Sequence, residues 1–257
     1  MSTLFSNQKF PLLVASMSDR TPDDAICTIR NAMLDGADGF MIHLEKMAPE
    51  YVNHNDLRRV FRYTCDKPIY TMNYRSKDSE KSDEQLIDEQ IMAVKAGANM
   101  IDMMGDMFDR SPLELSFNPE AIEKQKQVIA KVHELGGEVL MSSHTWVYMN
   151  TEEVLAHAKE LESRGADFVK IAMSVNSEEE MIDSMKTTWV VSQALNVPFL
   201  HIGMGVHGKL HRAIGPLLGS CFALCVQTYT PAGHKEKVLL RAEKSVLDNI
   251  DYRLNRK

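Results

Sequence analysis

Arg164-Gly165-Ala166-Asp167-Phe168-Val169-Lys170-Ile171-Ala172-Met173 holds two signals in one stretch. Its first four residues read as a helix-to-strand corner, with glycine as the left-handed stop of the helix. The same corner recurs as Asp35-Gly36-Ala37-Asp38-Gly39 and as Lys95-Ala96-Gly97-Ala98-Asn99. A recurring corner means a recurring βα unit. The rest of the stretch is the apolar run of a strand buried on both faces, broken by Lys170. An unpaired charge there is expensive. Such a lysine either reaches water or has its pKa driven down until it is a neutral amine. A neutral amine attacks ketones and aldehydes to give a Schiff base.

Outward from this stretch, strands are expected over 12–17, 39–45, 68–74, 99–105, 138–144, 167–173, 198–204 and 222–229. Helical patterns fall between and after them, over 21–34, 56–63, 82–95, 119–135, 151–164, 177–195, 209–218 and 235–249. Thr21-Pro22-Asp23-Asp24 and Thr151-Glu152-Glu153 mark helix starts, with acid in the first turn. Eight such units predict a single-domain (β/α)8 TIM barrel over residues 1–257. A doubly wound open sheet is the alternative. The first strand, however, runs into Ser16-Met17-Ser18-Asp19 rather than a glycine-rich phosphate loop. The longest irregular stretch, 106–118, is expected to cap the barrel mouth.

The chain has 257 residues, close to the roughly 250 typical of one such barrel. A formal net charge of −7 argues against a nucleic-acid binder. No segment approaches the roughly 18 unbroken apolar residues of a membrane span. Met1-Ser2-Thr3-Leu4-Phe5 lacks the layout of a signal peptide. Cys27, Cys65, Cys221 and Cys225 form no CxxC pair or disulfide framework. A reducing cytoplasm is therefore expected, with Cys221 and Cys225 as buried thiols beside the eighth strand.

Reactive groups of a barrel sit at the C-terminal ends of its strands. Those ends carry His43 and Glu45, Arg75, Asp102, His144, Lys170 and His201, followed by Arg212 in the seventh loop and Thr230 and His234 after the eighth strand. Alternation puts His43 and Glu45 on one face and Leu44 on the other. Neighbouring strands lie about 4.8 Å apart, so His144 and Lys170 can reach one bound substrate. An iminium on the lysine acidifies the adjacent carbon, and histidine is the natural base near neutral pH. A metal-dependent isomerase or epimerase is the alternative, with His43, Glu45, Asp102, His144 and His201 as candidate nitrogen and oxygen ligands. Their spacing follows no zinc signature, and no metal is assigned.

These motifs together resemble type I 3-dehydroquinate dehydratase over nearly the whole chain. Val139-Leu140-Met141-Ser142-Ser143-His144 resembles the strand of that family's catalytic histidine, and Phe168-Val169-Lys170-Ile171-Ala172-Met173 its imine-forming lysine strand. Gly203-Met204-Gly205 through Leu210-His211-Arg212 resembles the segment ending in the arginine that holds the substrate carboxylate. Tyr74-Arg75-Ser76 resembles a third-strand arginine motif, and Thr230-Pro231-Ala232-Gly233-His234 the loop that closes over substrate. The resemblance implies a lyase that turns 3-dehydroquinate into 3-dehydroshikimate and water without a cofactor. It implies Lys170 and His144 as catalytic residues, with Arg212, Arg75, Thr230 and His234 binding a carboxylated ketone. Apolar stripes on the seventh and eighth helices would support a homodimer, as in that family. The chain departs from the family at His43-Leu44-Glu45, where Glu-x-Arg is usual, and near Ser79 and Glu80, where the glutamate that orients the histidine has no clear counterpart. His43 and Glu45 are therefore expected to bind hydroxyls, or Glu45 to orient His144. An imine-forming aldolase and a non-catalytic ligand-binding relative are the further alternatives.

Overall fold

The computed structural model describes residues 4–75, 81–230 and 235–250. Among them are eight parallel strands: β1 (Leu12–Met17), β2 (Gly39–His43), β3 (Ile69–Met72), β4 (Met100–Met104), β5 (Glu138–Thr145), β6 (Phe168–Ser174), β7 (Phe199–Met204) and β8 (Phe222–Cys225). Each is followed by a helix: α1 (Pro22–Leu34), α2 (His54–Phe61), α3 (Asp83–Ala96), α4 (Pro119–Glu134), α5 (Thr151–Ser163), α6 (Glu178–Ala194), α7 (Gly208–Ile214) and α8 (Leu240–Asn249). Strand order is β7-β6-β5-β4-β3-β2-β1-β8. At the β7–β8 seam the Cys221 amide donates to the Phe199 carbonyl at 2.8 Å, so the sheet curls into a nearly closed (β/α)8 barrel.

The recurring corner has a physical cause. Gly36 and Gly165 take φ of +93° and +96°, a region that costs an L side chain energy. The polar residue that follows then reaches across to the preceding strand. Asp38 accepts the Leu13 amide at 3.0 Å, Asn99 the Ile69 amide at 2.8 Å and Asp167 the Val139 amide at 2.8 Å. Each phrase thus stops a helix and satisfies a strand-end donor that would otherwise be unpaired.

Two differences from the sequence reading shape the mouth. β2 ends at His43, and Leu44–Lys46 turn as a 3-10 helix. β8 ends at Cys225, four residues short of expectation, because the chain loops out and comes back. The Val226 amide donates to the Val238 carbonyl at 2.9 Å and the Leu240 amide to the Val226 carbonyl at 2.9 Å. The last helix therefore starts at Leu240 rather than 235, and residues 235–239 return to the barrel rim.

The interior is graded along its axis. Phe5, Phe168 and Phe222 close the N-terminal end, with ring centroids 5.2 and 5.5 Å apart. The Phe5 and Ser6 amides are tied to the Glu138 carboxylate at 2.8 and 3.0 Å. Polar side chains gather at the other end. Cys221 and Cys225 are buried, as expected. Among the described residues no helix is long and apolar enough to cross a membrane.

Candidate active site

Strand parity decides which side chains face inward. In β6, Phe168 and Ala172 join the interior cluster, whereas Val169, Ile171 and Met173 pack under the helices. Lys170 shares the inward parity and is 2% exposed. Its Nζ lies 2.9 Å from Asp102 Oδ2 and 3.4 Å from the Tyr70 hydroxyl. Tyr70 and Ser142 also donate to the Asp102 carboxylate. Burial pushes the Asp102 carboxyl up, but the Lys170 ammonium and these donors outweigh it and hold it below the ordinary range. The lysine therefore has a charged partner, which corrects the expectation of an amine without one. That partner comes from β4, two strands away, where the sequence reading placed a candidate metal ligand.

His144 lies one step nearer the mouth. Ser142 is level with Lys170 across the β5–β6 pair, and His144 with Ala172. The imidazole Nδ1 is 3.0 Å from Glu114 Oε2, and the same oxygen accepts the His144 amide at 2.7 Å. Since a carboxylate only accepts, Nδ1 carries the hydrogen and Nε2 is left for proton transfer. The Tyr74 hydroxyl donates to Glu114, and its ring meets the imidazole edge-on at 4.8 Å. Burial raises the Glu114 carboxyl, but the His144 and Tyr74 contacts outweigh it and keep it below the usual range.

Glu114 was not foreseen. It sits in the irregular 106–118 stretch at φ +49°, a left-handed conformation uncommon for glutamate. The expectation that Glu45 orients His144 is overturned: Glu45 Oε1 accepts from His43 Nδ1 at 2.7 Å. The alternative position, Ser79 or Glu80, lies outside the described residues.

Arg75 does not reach the cavity that Lys170 and His144 line. Its guanidinium bridges Asp83 at 2.7 Å and Asp106 at 2.6 Å, and its Nη2 donates to the Asp106 carbonyl at 2.8 Å. Arg75 lies just beyond β3, and both carboxylates come from later in the chain, Asp83 at the start of α3 and Asp106 after β4. Arg164 holds the same loop from below, donating to the carbonyls of Gly105 at 2.7 Å and Ser116 at 2.5 Å. The two arginines thus fix both ends of the segment that carries Glu114.

One cavity of about 210 Å³ collects His43, Glu45, His144, Lys170 and Arg212, together with Tyr74 and Lys237. Met41, Met72, Ile202, Met204 and Leu224 supply its apolar wall. Arg212, on α7, donates through Nε to the Gly203 carbonyl at 2.8 Å. Burial lowers its pKa to about 10. His43 Nε2 is 3.3 Å from Ser16 Oγ, and burial lowers the pKa of this imidazole. Thr230 is exposed and lines a neighbouring cavity that shares Ser18, Lys46 and Lys237 with the first. His234 lies outside the described residues. His201 faces away from the cavity, with Nδ1 2.9 Å from the Thr188 hydroxyl on α6. Of the five candidate metal ligands, His43, Glu45 and His144 share the cavity, but among the described residues no three His, Cys, Asp or Glu side chains are placed to hold a metal ion together.

Fold and site together define a barrel with an ion-paired lysine inside and a carboxylate-held histidine at its mouth. The model of the type I 3-dehydroquinase family matches residues 37–231, and the chain belongs to that family. The 3-dehydroquinate dehydratase of Alkaliphilus oremlandii is 30% identical over 123 residues, covering 46% of this chain and 47% of the relative. That of Shouchella clausii is 30% identical over 148 residues, 56% of this chain and 55% of the relative. These matches span about half the length of the curated relatives. The crystal structure of 3-dehydroquinate dehydratase from Geobacillus kaustophilus superposes with a TM-score of 0.80 at 15% identity, covering 96% of this chain and 95% of that one. The type I enzyme from Clostridium difficile, solved with covalently modified comenic acid, gives 0.79 at 18% identity and 96% of both chains. At such identities the likeness shows the fold.

Proposed function

We propose that this barrel is a Schiff-base dehydratase that converts 3-dehydroquinate, or a closely related carboxylated cyclic ketone, to the enone and water. The observation that carries the reading is the inward Lys170, in one cavity with an imidazole that a buried carboxylate holds in a single tautomer.

Lys170 Nζ passes one proton to His144 Nε2 and adds to the ketone carbon; His144 returns that proton to the carbinolamine oxygen, which leaves as water from a protonated imine. That cation stands where the ammonium stood, so Asp102 at 2.9 Å neutralises it throughout and no new charge is buried. His144 Nε2 removes the proton from the adjacent carbon, and the electrons pass into the C=N bond to give an enamine. The enamine expels the β-hydroxyl, which takes the proton from His144 and leaves as water. Hydrolysis of the conjugated imine consumes one water and restores Lys170. Imine formation released one, so the net product is one water. Glu114 holds His144 in register through both steps and stabilises its imidazolium. Arg212 pairs with the substrate carboxylate. Arg75 is assigned to the Glu114 loop rather than to substrate.

The test is turnover of 3-dehydroquinate, followed by the ultraviolet absorbance of the conjugated enone. Wild type should form it, and Lys170→Ala should not. Equal rates in the two proteins would exclude the imine route.

A further inference from the structure

Lys237 comes to the cavity through the return of the chain after β8, where Val226 pairs with Val238 and Leu240. Its Nζ donates to Ser16 Oγ at 2.9 Å. Beyond Ser16 runs a directional chain. Glu45 accepts from His43 Nδ1 at 2.7 Å and burial disfavours the imidazolium, so the neutral ring presents a lone pair at Nε2. The Ser16 hydroxyl, 3.3 Å away, donates to it and offers its own oxygen to Lys237. Strand β1 and the end of β2 thus fix one ammonium at the rim. Lys237 and Arg212 line the same cavity. Among the described residues the Arg212 Nη groups make no hydrogen bond, since the one bond of this guanidinium is from Nε to Gly203. Glu236 and Glu45 line the same cavity and offset part of the repulsion between these two part-buried cations; an anion bound between them would offset the rest.

We propose that Lys237 and Arg212 form a two-cation clamp on the anionic substituent of the substrate, so that Lys237 is a specificity-determining residue. The proposal rests on the reading of the cavity as a ketone site. It gives the His43–Glu45 pair, reversed in charge from the family pattern, the task of holding Lys237. The acid–base behaviour agrees with this. Burial, then the neighbouring Arg212 and Lys170 charges, lower the Lys237 pKa to about 8, with Glu236 and Glu45 opposing. Those four charged groups and the neutral His43 behind Ser16 surround the amine. A bound carboxylate draws its proton back, and anion affinity falls as pH rises through about 8.

The experiment uses two probes that differ only in charge, 3-oxocyclohexanecarboxylate and 3-oxocyclohexanecarboxamide. Borohydride traps the imine, and intact mass gives the half-saturating concentration of each. Lys237→Met should raise that concentration for the acid by roughly tenfold to hundredfold, the loss of one charge-assisted hydrogen bond, and leave the amide nearly unchanged. Lys237→Arg should restore the acid and flatten its pH dependence near pH 8. An acid value that does not move, or acid and amide moving equally, overturns the clamp. If neither probe is trapped by wild type, the imine reading fails on its own. The clamp is then read by calorimetric titration of cyclohexanecarboxylate against its amide, with the same contrast expected and the same result overturning it.

Discussion

Glu114 shows how a site residue can be invisible along the chain. Its partner His144 closes a strand whose alternation is plain, and the inward parity of His144 and Lys170 was legible from the sequence. Glu114 lies thirty residues earlier, in a segment with no periodicity and at a backbone angle no pattern announces. Asp102 was legible as a polar strand residue, but its role depends on two side chains meeting across an intervening strand. At this scale the test is Glu114→Gln, which keeps size and removes the charge. We expect kcat to fall about tenfold to hundredfold, the range of lost support for a general base. Borohydride trapping at saturating ketone should be retained. Loss of trapping as well would mean that Glu114 acts on the lysine rather than on His144.

The elements were legible where punctuation is local, and less so where the chain folds back. The glycine corners place the strand starts, because the left-handed stop and the Asp or Asn reach are both written within a few residues. The return after β8 is not, since the lysine-rich 235–239 stretch reads as helix until Val226 pairs it. Arg75 carried a motif that pointed to substrate, but its acidic partners Asp83 and Asp106 converge on it only in space. The seating of α7 on β7 carries the prediction at this scale. A Cβ at Gly208 would lie 2.4 Å from the Gly203 carbonyl carbon and oxygen, so α7 would have to move, and Arg212 with it. Gly208→Ala should raise KM for the carboxylated ketone far more than it lowers kcat. An unchanged KM would detach Arg212 from carboxylate binding.

For the whole molecule, the barrel and its polar mouth followed from eight repeated units, but its stability holds one conflict that only packing reveals. Glu243 on α8 is fully buried, and among the described residues neither carboxylate oxygen has a hydrogen-bond partner. Burial raises its pKa from 4.5 to about 7. Between those values the folded chain keeps a proton that the unfolded chain has lost, so stability falls as pH rises through this window and is level above it. The shift corresponds to about 3 kcal/mol, as an order of magnitude. Glu243→Gln should therefore be more stable than wild type in urea at pH 8 and nearly equal to it at pH 4.5. A variant weaker at pH 8 would show that the carboxylate has a stabilising partner.

The central claim is that the Lys170 amine makes the covalent bond. Wild-type protein, reduced with borohydride in the presence of 3-dehydroquinate, should gain the mass of one reduced imine, and peptide mapping should place it on Lys170. The Lys170→Ala variant should gain nothing. An adduct on Lys237, or none on folded wild-type protein that still turns the ketone over, would contradict the account.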